Sequence, residues 1–173
     1  MELNGEYIEK LKEKDEEALR MLVREYKIPL YNYIYRMVYN REDAEDILQE
    51  TFLKIFRNIK KIDFRKNFKS FIFKVAKNSC IDFFRKKKNA LPFFDEVYEK
   101  PDNFYERIKL KGRLEKALSV LKKEDREIII LKYIENFKIR EISEMLEIPE
   151  NTVKIRIFRA LKKMRKHFEG GEE

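Results

Sequence analysis

The chain has 173 residues, of which 42% are charged and few are Gly or Pro, a helix-forming composition long enough for one domain or two small ones. The formal net charge of +8 is unevenly placed: residues 42–50 are acidic, whereas residues 69–88 and 154–166 are basic, which points to several anion-seeking surfaces and one cation-seeking surface. Cys80 is the only cysteine, so an intrachain disulfide is excluded; no run of about 20 apolar residues is present to span a membrane, and the expectation is a cytoplasmic protein without membrane insertion.

The first residues lack the apolar core of a signal peptide. Leu19, Leu22, Val23 and Tyr26, then Leu30, Tyr33, Ile34 and Met37, recur at helical spacing, with Pro29 expected to mark a bend or a helix start. Arg41, Glu42 and Asp43 open a further helix whose acidic first turn suits the positive end of the helix dipole. Ile47, Leu48, Phe52, Ile55, Phe56 and Ile59 form its apolar stripe. The carboxylates of this segment raise the question of a metal, but they lie on a continuous helix without the glycine turn of a calcium loop. A solvated helix start or a docking surface for a basic partner remains.

Residues 60–69 read as a loop and residues 71–85 as the next helix. The stretch FKSFIFKVAKNSCIDFFRKKK, residues 68–88, interleaves phenylalanines with lysines. Bases stack on aromatic side chains at about 1–3 kcal/mol each while lysines follow the phosphates, so the mixture suits unstacked single strands. It equally suits an amphipathic helix whose phenylalanines are core. Ile72, Val75, Ser79 and Phe83 share one face; Lys74, Lys77, Asn78, Ile81 and Arg85 occupy neighbouring faces.

Periodicity fails over residues 88–103, which hold Pro92 and Pro101 and read as a linker carrying Phe93, Phe94 and Tyr98. Helical pattern returns with Leu110, Leu114, Ala117, Leu118 and Leu121, then a dense apolar run over residues 128–134, then Ile139, Ile142, Met145 and Leu146. A long helix follows from about residue 150 to 168. The last two helices have helix-turn-helix spacing, with Glu147 where the turn needs a left-handed residue. Val153, Ile157, Leu161 and Met164 are expected to face the core, and Asn151, Thr152, Lys154, Ile155, Phe158, Arg159 and Lys162 to face outward. No acid lies between Asn151 and Phe168, as befits a helix entering the major groove, although a merely solvated basic helix has the same composition.

The fold class is thus all-α, two small helical domains joined by a flexible linker. No GKS or GKT loop, HExxH pair or Cys/His cluster is present, and His167 is the only histidine, so neither a catalytic centre, a metal site nor a cofactor is expected. A helix-turn-helix regulator of a palindromic operator remains an alternative, though it leaves the acidic helix without a role.

Three segments in this order resemble the extracytoplasmic-function (ECF) group of bacterial RNA polymerase sigma factors. DAEDILQETF is similar to family region 2.2, FKSFIFKVAKNSCIDFFRKKK to regions 2.3 and 2.4, and residues 121–166 to region 4. The resemblance implies a sigma2 domain over residues 1–88, a linker over 89–103 and a sigma4 domain over 104–173, in a transcription initiation factor that is not an enzyme. It implies that Asp46, Gln49, Glu50 and Phe52 dock on the β′ clamp helices of core RNA polymerase. The loop 62–70, with Phe64, Arg65 and Lys69, together with Lys74, Lys77, Asn78 and Arg85, would capture the melted −10 strand of promoter DNA, while Phe71 helps build the core. Asn151, Thr152, Lys154, Ile155, Phe158, Arg159 and Lys162 would read the −35 element. Apolar sigma4 surface would bind the β flap, the linker would thread toward the active-site and RNA-exit channel, and an anti-sigma factor is a possible partner. The sequence departs from the family pattern at Phe71 (usually Trp), Lys122 (usually Pro), Asn136 and Glu147 (usually Gly) and Ile155 (often Ser).

Overall fold

The computed structural model describes residues 5–63, 67–90 and 114–169. They contain helices and turns and no strand, and the chain divides into two compact units, Met1–Asp95 and Glu96–Glu173.

In the N-terminal unit, α1 (Gly5–Lys12) buries Tyr7 and Leu11. It ends at Lys14 in the left-handed region (φ 60°), where the Asp15 N–H bonds the Lys10 carbonyl and the Lys14 N–H that of Leu11. This is the Schellman pattern that closes a helix. Asp15 then caps α2 (Glu16–Val38), its carboxylate accepting from the Ala18 N–H at 2.9 Å. The same two-residue device recurs one helix later. Tyr39 (φ 52°) closes α2, and the Asn40 side chain accepts from the Asp43 N–H at 3.0 Å to open α3 (Arg41–Asn58).

Helix α2 runs unbroken through Pro29, so no helix starts there. An interior proline costs about 3 kcal/mol. The cost is outweighed here, because Leu22 lies buried before Pro29 and Leu30, Tyr33, Ile34 and Met37 after it, each worth about 1.5–3 kcal/mol on burial. Helix α3 buries Ala44, Ile47, Leu48, Thr51, Phe52 and Ile55 and ends in a 3₁₀ turn, Ile59–Lys61.

The expected loop over 60–69 is shorter than read. The Asn67 side chain accepts from the Ser70 N–H at 3.1 Å, and α4 extends over Phe68–Ala90. Phe68, Ile72, Phe73, Ala76 and Cys80 form its buried face. Phe68 and Phe73 meet Tyr26 and Tyr33 of α2 edge-on, at centroid distances of 6.1 and 5.4 Å. Phe71, expected in the core, is half-buried and stacks on Phe68 at 6.3 Å.

In the C-terminal unit, residues 114–119 are helical (α5), followed by α6 (Lys123–Ile129), which widens into a π-helix over Ile130–Ile134. There the Glu135 N–H reaches the Ile130 carbonyl at 3.0 Å, an i to i−5 bond. Ile128 through Leu131 are buried, as the dense apolar run implied, but within the same run Tyr133 is 53% exposed and Ile134 half-buried. Ala117, Leu118 and Leu121 are core, whereas Leu114 is 46% exposed and Leu110 lies outside the described residues. Arg126 donates to the carbonyls of Leu118 and Leu121, both at 3.1 Å, and so caps the end of α5.

Helix α7 (Ile139–Leu146) closes at Glu147, which takes φ 57° and ψ 40°, the left-handed residue the motif demanded. The Ser143 hydroxyl donates to the Ile148 carbonyl at 2.6 Å and staples the turn. Helix α8 (Glu150–Glu169) then packs Val153, Ile157 and Ala160 inward. Among the described residues, no helix is long and apolar enough to cross a membrane.

Candidate nucleic-acid interface and docking surface

Three helix faces carry the expected site residues, and each lies opposite a buried stripe. On α3, Asp46 and Gln49 are exposed and Glu50 is partly so. Phe52, expected beside them on the docking face, is instead buried at 7% exposure, its ring 5.9 Å from that of Phe56. The reason is angular. Positions 48, 52 and 55 face the core, while 46, 49, 50 and 53 advance along the outer face. The exposed apolar residue on that face is Leu53, at 40%. Sequence reading missed it, although its spacing of four from Gln49 was the available signal. The flank carries an exposed Arg41–Glu45 pair at 3.0 Å, whose hydrogen bond and charge raise the Arg41 guanidinium above its ordinary pKa.

On α4, Lys74, Lys77, Asn78, Ile81 and Arg85 fall on one side, opposite Ile72, Ala76 and Cys80. Asn78 and Arg85 are exposed, Ile81 is 39% exposed, and Lys74 and Lys77 are half-buried. Lys69 sits elsewhere on the helix, with its Nζ 5.6 Å from the centre of the Phe73 ring. Phe64 and Arg65 lie outside the described residues, as do Phe93, Phe94 and Tyr98 of the linker. The far end of α4 is tied to the start of α3 by a Lys87–Asp43 contact of 3.3 Å.

On α8 the structure brings the whole expected set together. Asn151, Lys154, Ile155, Phe158, Arg159 and Lys162 are exposed and Thr152 is half-buried at the flank. Phe158 is 69% exposed and Ile155 50%, high values for apolar side chains on a helix whose other face is fully packed. Leu161 departs from expectation. It is 40% exposed and lines a shallow groove with Phe158, Lys162 and Arg165, because Ala160 takes the inward position between Ile157 and Met164. About 30 Å long, α8 presents no acid on this face between Asn151 and the last turn. A basic helix with polar residues at its exposed N-terminal end fits the major groove, where short side chains reach base edges and lysines and arginines hold phosphates. Among the described residues, no group of three or more His, Cys, Asp or Glu is placed to hold a metal ion.

The sigma-70 region 2 family model matches residues 22–90, and the sigma-70 region 4 model matches residues 111–164. Over 92% of its length the chain is 32% identical to the ECF RNA polymerase sigma factor SigW of Bacillus subtilis, covering 93% of that protein. The chain belongs to the ECF sigma factors. The RNA polymerase sigma factor SigV of the same organism is 33% identical over 90% of the chain and 94% of its own length. The sigma fold recurs in solved structures. CnrH, solved in complex with the cytosolic domain of CnrY, superposes with a TM-score of 0.74 at 20% identity, over 96% of this chain and 97% of that one. The sigma factor RpoE of Bartonella quintana, solved with the anti-sigma factor NepR, gives 0.72 at 21% identity, over 88% and 98%. As a member of this family, the sigma factor is a transcription initiation factor that binds core RNA polymerase and directs it to promoters; it is not an enzyme.

Proposed function

We propose that the sigma factor divides this work among its three outward faces. A sigma2 domain over residues 1–88 docks on the β′ clamp helices through Asp46, Gln49 and Glu50 of α3, with Leu53 supplying the apolar contact first sought at Phe52. Lys69, Lys74, Lys77, Asn78 and Arg85 of α4, with Phe64 and Arg65 from the segment before it, hold the melted −10 strand. A linker over 89–103 leads to a sigma4 domain over 104–173, which engages the β flap. There Asn151, Thr152, Lys154, Ile155, Phe158, Arg159 and Lys162 read the −35 element. The protein works in the cytoplasm, and an anti-sigma factor that restrains it would cover these same faces.

The observation that supports this reading is the segregation of charge by helix face. The outer face of α3 is acidic and polar, those of α4 and α8 are cationic, and each backs onto a buried stripe. Melting then draws on binding energy alone. Extruding a base costs a few kcal/mol, which the α4 face returns through charge and contact to the unstacked strand.

The deciding experiment is native capture of purified bacterial core RNA polymerase by the full-length protein, beside a Gln49→Ala/Glu50→Ala variant. Capture by the wild type and weakened capture by the variant are expected. Equal capture by both would remove α3 as the docking face.

A further inference from the structure

At the seam where α3 meets the outer side of α4, three charged side chains form a cluster, of which Lys54 and Asp82 have no part in the docking and strand-binding roles and Arg85 belongs to the strand-binding face. Lys54 of α3 donates across the helix pair to Asp82 of α4, Nζ to Oδ2 at 2.8 Å. The second carboxylate oxygen lies 3.8 Å from the Arg85 guanidinium, close enough for attraction but beyond a hydrogen bond. Asp82 is the only acid between Phe68 and Ala90, a stretch that is otherwise strongly basic. The hydrogen bond from Lys54 holds its carboxyl below the usual carboxylate range, and the charges of Lys54, Arg85 and Lys86 add to this while burial opposes it.

Stability alone is a weak reason for this arrangement. The side chains of Lys54, Asp82 and Arg85 are 28%, 44% and 70% exposed, and ion pairs so open to water contribute about 0–1 kcal/mol. The effect on the outer face is larger in kind. A phosphate approaching Lys54 or Arg85 must displace a carboxylate that already faces both.

We propose that Asp82 is an electrostatic restraint on strand binding, occupying Lys54 and Arg85 in the free sigma factor so that these cations pass to phosphates only when the rest of the α4 face holds a strand. Lys54, on the docking helix itself, thereby becomes a further nucleic-acid contact. The proposal rests on the reading of α4 as the strand-binding face.

The test is fluorescence anisotropy of a labelled single-stranded DNA oligonucleotide titrated with the full-length protein at several salt concentrations. For single strands, log affinity falls against log salt with a slope of about 0.7 per phosphate neutralised. Asp82→Asn removes the carboxylate that a phosphate must displace, so it is expected to bind more tightly than wild type at an unchanged slope, because Lys54 and Arg85 reach phosphates in both complexes. Lys54→Gln is expected to flatten the slope by about 0.7.

A purely structural pair would instead lower the melting temperature of both variants alike and leave the affinity of Asp82→Asn and the slope of Lys54→Gln at the wild-type values, which overturns the proposal. Should Asp82→Asn not fold, Lys54→Gln decides alone, because an unchanged slope in that variant is equally fatal. A Lys74→Gln/Lys77→Gln variant separates the two levels. If it binds like wild type, α4 is not the strand face and both readings fall. If it weakens while Asp82→Asn does not bind more tightly, only the restraint falls.

Discussion

At the residue scale, the sigma factor places ordinary side chains where the backbone asks for glycine. Lys14, Tyr39, Asn136 and Glu147 all have φ between 52° and 60°. Left-handed geometry costs an L-residue about 1–2 kcal/mol, partly recovered through the lower entropy of a non-Gly unfolded chain. Lys14 is exposed, so Lys14→Gly is expected to raise stability by about 0.5–1 kcal/mol, read as an increased midpoint in urea at unchanged slope. Glu147 was legible from the motif alone, because the turn geometry permits few alternatives. The departures from family pattern fall where the structure gives them sense. Asn136 and Glu147 adopt a glycine's φ, and Lys122 has φ −62°, which a proline would share. Tyr7 gives a second prediction. Its buried hydroxyl donates to the Ala18 carbonyl at 3.0 Å, and burial, with Glu25 and Tyr26 nearby, pushes its pKa up to about 12. A pKa raised by folding means stability fully present below the unfolded value near 10 and lost as pH climbs from about 10 to about 12. Tyr7→Phe is expected to be less stable at neutral pH by about 1 kcal/mol and to lose less across that alkaline window, measured by urea unfolding at stepped pH.

At the element scale, periodicity identified every described helix of three turns or more, yet it erred where two apolar residues competed for one inward position. Leu161 was placed inward and is exposed, because a stripe is centred by its packing neighbours rather than by hydrophobicity, whereas Phe52, which periodicity put in the buried stripe and only the resemblance put on the docking face, is buried. Small residues decide such cases. Ala160 takes the core position, which turns Leu161 toward solvent. Pro29 misled as a helix start for a related reason, since local punctuation yields when buried residues on both sides hold the helix together through it. The cap at the end of α5 was invisible in sequence, because it depends on Arg126 folding back from the next helix. Arg126→Ala is expected to destabilise the C-terminal unit by about 1–3 kcal/mol, since it strips a charged donor from two carbonyls at once. Thermal melting of the full chain should show this as a loss confined to one of two transitions, if the units unfold separately.

At the scale of the whole molecule, two cores carry three charge-segregated faces, one acidic and two cationic, and this segregation was readable from the alternation of acidic and basic segments. What the sequence did not disclose was the cross-helix pairing of Lys54 with Asp82 and of Lys87 with Asp43, which requires knowing which helices are neighbours. The two-residue turns at Lys14–Asp15 and Tyr39–Asn40 have a consequence for synthesis. They make helix follow helix with almost no intervening chain, so that nearly every partner of the N-terminal core is already present once α4 has been made. Local topologies of this kind fold in microseconds to milliseconds, whereas ribosomes add about 5–20 residues per second. Emergence of the remaining chain therefore takes roughly 4–17 s, and the first unit is expected to be complete on the ribosome well before the second can form. Protease challenge of stalled nascent chains should yield a resistant N-terminal fragment as soon as α4 clears the exit tunnel. In the cell, a half-made sigma factor would then already display its proposed polymerase-docking face while still lacking the helix proposed to read the −35 element.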